Sequence, residues 1–198
     1  MNGFVNLLDM YNRLRTFLGQ FITMTSEEYN HLTDLLVVRQ LKKKDFLTKE
    51  GEKEHYIYYL DEGLIHQYFY KGKEQVTTDL IVPGTTTNAA VSFLSGKPSH
   101  YYLQALEPSV LLGLSKTQLE ELYKEDKKWE KMGRLLLTYF LLRQEKQIID
   151  QIRMSMRERF LLFAKEYPDL MQRVPQRRLA SYLNMKPETF SRLKPLLK

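Results

Sequence analysis

The sequence contains no cysteine. Disulfides, iron–sulfur clusters and thiolate chemistry are thereby excluded, and a reducing, cytoplasmic setting is the expectation. It also lacks any apolar run of the roughly 18–20 residues that a membrane helix needs, so no membrane partner is expected. The opening segment MNGFVNLLDMYNRLRTFL alternates polar and apolar residues at a helical period. It has no basic stretch leading into an apolar one and does not read as a signal peptide. Histidine is scarce, at 4 residues. No His-x-His pair, Ser-His-Asp set or phosphate-binding glycine loop occurs, which removes the usual signs of metal, acyl-transfer and nucleotide-hydrolysing enzymes. No enzymatic activity and no cofactor are expected.

What is present is ordinary globular composition, 43% hydrophobic and 27% charged over 198 residues. The distribution of charge is less ordinary. Residues 1–150 hold 19 Lys/Arg against 20 Asp/Glu, and residues 151–198 hold 11 against 4. The whole positive excess lies in the last quarter, and a basic module on a near-neutral body points to a polyanionic partner.

Periodicity divides the chain. Residues 4–18 read as an amphipathic helix carrying Phe4, Leu7, Leu8, Tyr11, Leu14 and Leu18. Thr25-Ser26-Glu27-Glu28 looks like a helix cap, placing a second helix over 26–36. From Val37 to Ser115 short segments rich in Tyr, Ile, Val and Phe are split by turn signals, Asp61-Glu62-Gly63 and Lys71-Gly72-Lys73 among them. That spacing predicts a β-sandwich or barrel. Helical periodicity returns over 116–124 and then runs from 127 to 151 without a proline. Leu135, Leu142 and Ile149 recur by sevens there, and with Met132, Leu136 and Tyr139 they form a candidate homodimer interface. Residues 155–167 read as another helix, ended by Pro168.

The last segment, QRRLASYLNMKPETFSRLKPLL, reads as two short helices joined by a tight turn. Leu179 and Leu183 share an inner face. Asn184 stands where the chain turns sharply, and it is the non-glycine residue best suited to a positive φ. Pro187 and Glu188 fit a first helical turn, and Phe190 and Leu193 supply the second helix's buried side. A helix-turn-helix results. Its outward side chains are Lys186, Glu188, Thr189, Ser191, Arg192 and Lys194, and Arg177 and Arg178 open the first helix. Glu188 and Arg192 could be a simple i,i+4 ion pair. In a DNA reader the same pair accepts from a cytosine amine and donates to a guanine.

With the order strands, long helix, helix, helix-turn-helix, and with P-E-T-F-S-R in the last helix, the chain resembles the Crp/Fnr family of bacterial transcription regulators over roughly residues 20–197. The E-x-x-S-R pattern of Glu188, Ser191 and Arg192 is similar to the Fnr branch's recognition helix. The resemblance implies an α+β chain with three parts. A cyclic-nucleotide-binding-like β-roll with flanking helices would occupy 1–125, a dimerisation helix 126–152, and a helix-turn-helix domain 153–198. It implies a homodimer on a pseudo-palindromic site in double-stranded DNA. Glu188 and Arg192 would read bases, and Lys186 and Thr189 would contact phosphates. Family members usually add a β-hairpin wing where this sequence ends at Lys198, and Pro195 limits the last helix to about two turns, so a wing's contacts are not expected.

The loop VPGTTTNAAVSFLSGKPSHYYLQAL, residues 82–106, falls where the family's cyclic-AMP binders carry a Gly-Glu pair and, further on, Arg-Ser or Arg-Thr. Here Asn88-Ala89 and Ser99-His100 take those places, so the ribose-binding carboxylate and the phosphate-binding guanidinium are both missing. Cyclic AMP is not expected to bind in the usual manner. An unidentified effector would meet a pocket drawn from Thr85, Thr86, Thr87, Asn88, Phe93, Ser99, His100 and Tyr101. Two rival readings remain. One is a dimeric protein-binding adaptor with degenerate DNA binding. The other is a cupin-like metalloenzyme, for which His55, His66, His100 and Glu54 are poorly spaced.

Overall fold

Three helix starts follow from one device. In the computed structural model, which describes residues 6–197, Thr25, Ser115 and Ser155 each accept from the backbone N–H three residues on. The residue at that position, Glu28, Gln118 or Glu158, bonds back to the cap's own N–H. These capping boxes satisfy two otherwise open donors at each helix start, and they begin α2 (Ser26–Asp34), α4 (Lys116–Glu125) and α6 (Met156–Glu166). Ahead of them lies α1 (Leu7–Leu18). Phe4, expected in that helix, lies outside the described residues.

Between α2 and α4 run the strands β1 (Val37–Leu41), β2 (Phe46–Thr48), β3 (Tyr56–Glu62), β4 (Ile65–Lys71), β5 (Glu74–Ile81), β6 (Thr85–Thr87), β7 (Tyr102–Ala105) and β8 (Ser109–Ser115). They form two four-stranded sheets, ordered β1-β8-β3-β6 and β2-β7-β4-β5. Both expected turns are present, with Gly63 at φ 99° and Gly72 at φ 62°. A Cβ on Gly63 would also fall 2.2 Å from the Ser109 hydroxyl, so no other residue fits there. One helix escapes the strand-and-loop expectation: α3 (Ala90–Ser95), inside the loop over 82–106.

The remaining helices are α5 (Lys127–Arg153), α7 (Leu170–Arg173), α8 (Gln176–Tyr182) and α9 (Pro187–Leu193), the last followed by a 3₁₀ turn over Lys194–Leu197. The short α7 was not legible in the sequence. The chain divides into two compact units. One runs to Gln67 and resumes over Ile81–Leu137; the other joins Tyr68–Leu80 to the residues from Thr138 onward.

In the first unit, alternate strand residues face opposite ways. Tyr58, Leu60, Ile65, Ile81, Leu103, Ala105 and Leu111 fill the space inside the roll. Tyr59, Leu112 and Leu114 face outward, against Met10, Leu14 and Phe17 of α1 and Trp129, Met132 and Leu136 of α5. Part of the expected dimer interface lies in this core. Met132 and Leu136 are buried in the chain's own core, with Leu135 packed against it. The first part of α5 turns Trp129, Met132 and Leu136 to the roll. An exposed apolar stripe begins at the next residue and consists of Leu137, Leu141, Ile148 and Ile152, flanked by Leu142 and Ile149 of the expected interface. Tyr139 is half-buried. Among the described residues no helix is long and apolar enough to cross a membrane.

Candidate nucleic-acid interface

The turn between α8 and α9 forms as its sequence requires. Asn184 has φ 52°. The Met185 N–H donates to Ala180 O at 2.9 Å, and the Asn184 N–H to Ser181 O at 3.0 Å. This pair of bonds is a Schellman closure with a left-handed residue after the helix, and buried Met185 provides its apolar contact. Lys186 is extended, at φ −71° and ψ 147°, and Pro187 opens α9. The pair of helices is held from below by Phe190, fully buried edge-to-face on Phe160 at 5.1 Å between ring centres. Leu170, Val174, Leu179, Ala180 and Leu183 complete that small core.

With Phe190 anchored, the opposite side of α9 faces out. Lys186, Glu188, Ser191, Arg192 and Lys194 are exposed, and Thr189 is half-buried. Ser191 accepts from the Gln176 side-chain amide at 2.5 Å, a tie between the two helices that spacing did not reveal. Arg177 is exposed. Arg178 is less accessible than Arg177. It is half-buried, and burial lowers its pKa from the usual arginine value, with Tyr68 and Tyr70 acting in the opposite sense. In this conformation it lies among the hairpin's aromatics instead of facing solvent.

The hairpin β4–β5 makes further bonds within the same unit. The Thr77 N–H donates to the Ser181 hydroxyl at 2.9 Å, and that hydroxyl reaches Gln75 O at 3.5 Å. β5 is an edge strand, so Ser181 of α8 occupies groups that another strand would otherwise pair with. Nearby, Arg143 of α5 donates to both oxygens of buried Asp79, at 2.9 and 3.0 Å. Burial pushes the Asp79 carboxyl above the usual range, and the Arg143 charge pulls it back in part. Residues 64 to 106 positions apart meet here, and no local pattern announces such pairs.

The loop over 82–106 spends most of its hydroxyls on itself. Thr85 donates to Val82 O at 2.7 Å, Ser92 to Lys97 O at 2.6 Å, and Ser95 to Val91 O at 2.6 Å. The Ser99 hydroxyl both donates to Tyr101 O and accepts from the Tyr101 N–H. Ser92 also accepts from the N–H of buried Glu54 at 2.9 Å. That carboxylate accepts in turn from the Thr48 hydroxyl and from the His55 and Tyr56 N–H groups. The candidate pocket residues do not all share one face. Thr85 and Thr87 pair with Leu60 and Tyr58 and share their inward face, whereas Thr86 pairs with Tyr59 and faces the other way. Phe93 is buried, Asn88 and Tyr101 are half-buried, and His100 is exposed. The Lys116 ammonium is held by Leu94 O at 3.2 Å. Among the described residues no three His, Asp or Glu side chains stand together as a metal site.

Residues 38–126 match the family model for the cyclic nucleotide-binding domain. No curated protein matches the chain at the level of sequence. Among solved structures, FixK2 from Bradyrhizobium japonicum is 17% identical, with 82% of this chain and 84% of that one aligned and a TM-score of 0.70. The catabolite activator protein of Thermus thermophilus is 18% identical over 91% and 86% of the two chains, with a TM-score of 0.57. CLP, the c-di-GMP-responsive global regulator of Xanthomonas campestris, is 14% identical over 85% and 89%, with a TM-score of 0.64. Residues 38–126 thus resemble the cyclic nucleotide-binding domain, and the chain as a whole has the fold shared by these three structures.

Proposed function

We propose that this protein is a sequence-specific, DNA-binding transcription regulator that works as a cytoplasmic homodimer and is not an enzyme. The observation that carries the reading is the exposed face of α9. Lys186, Glu188, Ser191, Arg192 and Lys194 project from a helix fixed by buried Phe190, at the end of a chain segment with 11 basic and 4 acidic residues. Such a face presents a carboxylate and a guanidinium one turn apart for base edges, with ammonium groups at its ends for phosphates. In this reading residues 1–125 sense, 126–152 pair with a second copy, and 153–198 read the duplex. The effector is not cyclic AMP held in the usual manner, because the loop over 82–106 supplies no guanidinium and the hydroxyls of Thr85, Ser92, Ser95 and Ser99 are already bonded within it.

Selection of duplexes from a random pool by the purified chain tests the proposal. A recovered site with two related half-sites about 10–10.5 base pairs apart, or a multiple of that, is the expected result. Affinity should fall steeply with salt as phosphate contacts are lost. Failure to enrich any sequence would leave the protein-binding adaptor, the reading that the engagement of Arg178 and Ser181 with the hairpin favours.

A further inference from the structure

The side chain of Arg159, at the start of α6, makes four hydrogen bonds to main-chain carbonyls. Nη1 donates to Gln151 O and to Met154 O, both at 2.8 Å. Nε donates to Leu183 O at 3.1 Å, and Nη2 reaches Asn184 O at the longer distance of 3.5 Å. Gln151 lies in the last turn of α5 and Met154 just beyond it. Leu183 ends α8, and Asn184 is the left-handed residue of the turn into α9.

The last four carbonyls of a helix have no partner within it, and the partial negative charge of the helix dipole gathers there. One guanidinium therefore closes two helix ends at once, those of α5 and α8. A planar fork with five N–H donors can serve both ends, whereas a single ammonium on a flexible stem cannot hold the two in fixed relation. The chain between the ends is held as well. Ser155 and Glu158 form the capping box that restarts the helix after Met154, so Arg159 follows a rigid first turn.

We propose that Arg159 is a positioning residue for DNA reading. It sets the orientation of α9 relative to the distal end of the long helix without itself touching DNA. The inference rests on the DNA-reading proposal and goes beyond it. It assigns a role to a residue outside the helix-turn-helix, one that would make the spacing of the two recognition helices in a dimer depend on the joint at Met154 and Ser155.

The test compares the full-length protein with Arg159→Ala, Arg159→Lys and the exposed neighbour Arg157→Ala. Binding is read by fluorescence anisotropy on a duplex that the wild type selects and on an unrelated duplex of equal length. Both Arg159 variants should lose about tenfold or more on the selected duplex while changing by less than about twofold on the unrelated one. The slope of log affinity against log salt should be unchanged, because no phosphate contact is removed, and Arg157→Ala should preserve the ratio of selected to unrelated binding. A merely structural role would lower both affinities together through the folded fraction. If Arg159→Ala does not fold, Arg159→Lys carries the same comparison. Selected-duplex affinity within about twofold of wild type, a parallel fall on both duplexes, or a salt slope reduced by about 1, the sign of a lost phosphate contact, would each overturn the assignment. A wild type that selects no duplex would remove the DNA-reading proposal and this inference together, a distinguishable failure.

Discussion

Arg192 and Asn184 stand eight positions apart and answer to different physics. Arg192 is exposed on α9, four residues after Glu188, so its removal should leave the fold intact. Arg192→Ala is expected to lose discrimination at one base pair per half-site, at about 1–3 kcal/mol. Repeating the duplex selection with the variant checks this, and an unchanged base preference would count against the assigned contact. Asn184 matters through its backbone. At φ 52° it occupies a conformation that side chains with a Cβ resist. Asn184→Ala should destabilise the protein by about 1–2 kcal/mol in urea unfolding. Asn184→Gly should cost far less, since glycine enters the left-handed region freely. Equal losses for the two would show that the side chain, and not φ, is what the turn requires.

Elements were legible where their signals were local. The capping box at Thr25, the hairpin glycines Gly63 and Gly72, the positive φ of Asn184 and Pro187 at the start of α9 all act within four residues, and a sequence displays such spans directly. Helix α3 was hidden because six residues hold less than two turns, too few for a period, and they sit among Gly, Ser and Pro. On α5 the recurrence of Leu135, Leu142 and Ile149 by sevens was legible, whereas the burial of Met132 and Leu136 against the roll was not. Periodicity shows that a helix is amphipathic but not which neighbour covers each side. The bonds from Ser181 to β5 and from Arg143 to Asp79, and the clamp made by Arg159, were out of reach because polar tertiary pairs leave no periodic trace. One element-level prediction follows from the cap of α6. Bonds from the Ser155 N–H and hydroxyl hold the Glu158 carboxyl below its ordinary value of 4.5. A lowered folded-state pKa means the stabilisation is fully present above that ordinary value and is lost as pH falls through the folded one. Glu158→Gln keeps a residue able to form the box but removes the charge. The difference in thermal stability between wild type and variant should favour the wild type at neutral pH and shrink progressively below pH 4.5. A difference that stays constant into acid would mean that the carboxylate charge adds nothing to the cap.

For the whole molecule two matters remain, pairing and the effector. The stripe Leu137, Leu141, Ile148 and Ile152 is exposed along one side of α5, with Leu142 and Ile149 beside it. An apolar row sustained over four turns of one helix is the kind of surface a second copy covers. Leu141→Asp combined with Ile148→Asp should yield a folded monomer by sedimentation and abolish tight binding to a two-half-site duplex; a variant that remains dimeric would move the interface elsewhere. The effector question turns on the loop over 82–106. A phosphate held away from water needs charge-assisted donors, each contributing about 1.5–3 kcal/mol. The loop contains no arginine. The Ser99 hydroxyl is spent on Tyr101, the Ser92 hydroxyl on Lys97 and Glu54, and the Lys116 ammonium on Leu94. The buried carboxylate of Glu54 is likewise committed to Thr48, His55 and Tyr56 and cannot stand in for the missing ribose acceptor. Binding cyclic AMP would require breaking bonds inside the loop with no guanidinium to offset the loss. Isothermal titration with cyclic AMP should therefore show no saturable heat at micromolar concentrations. One-per-subunit binding in that range would mean that the loop rearranges around the ligand and that a cation, such as its own Lys97, reaches the phosphate.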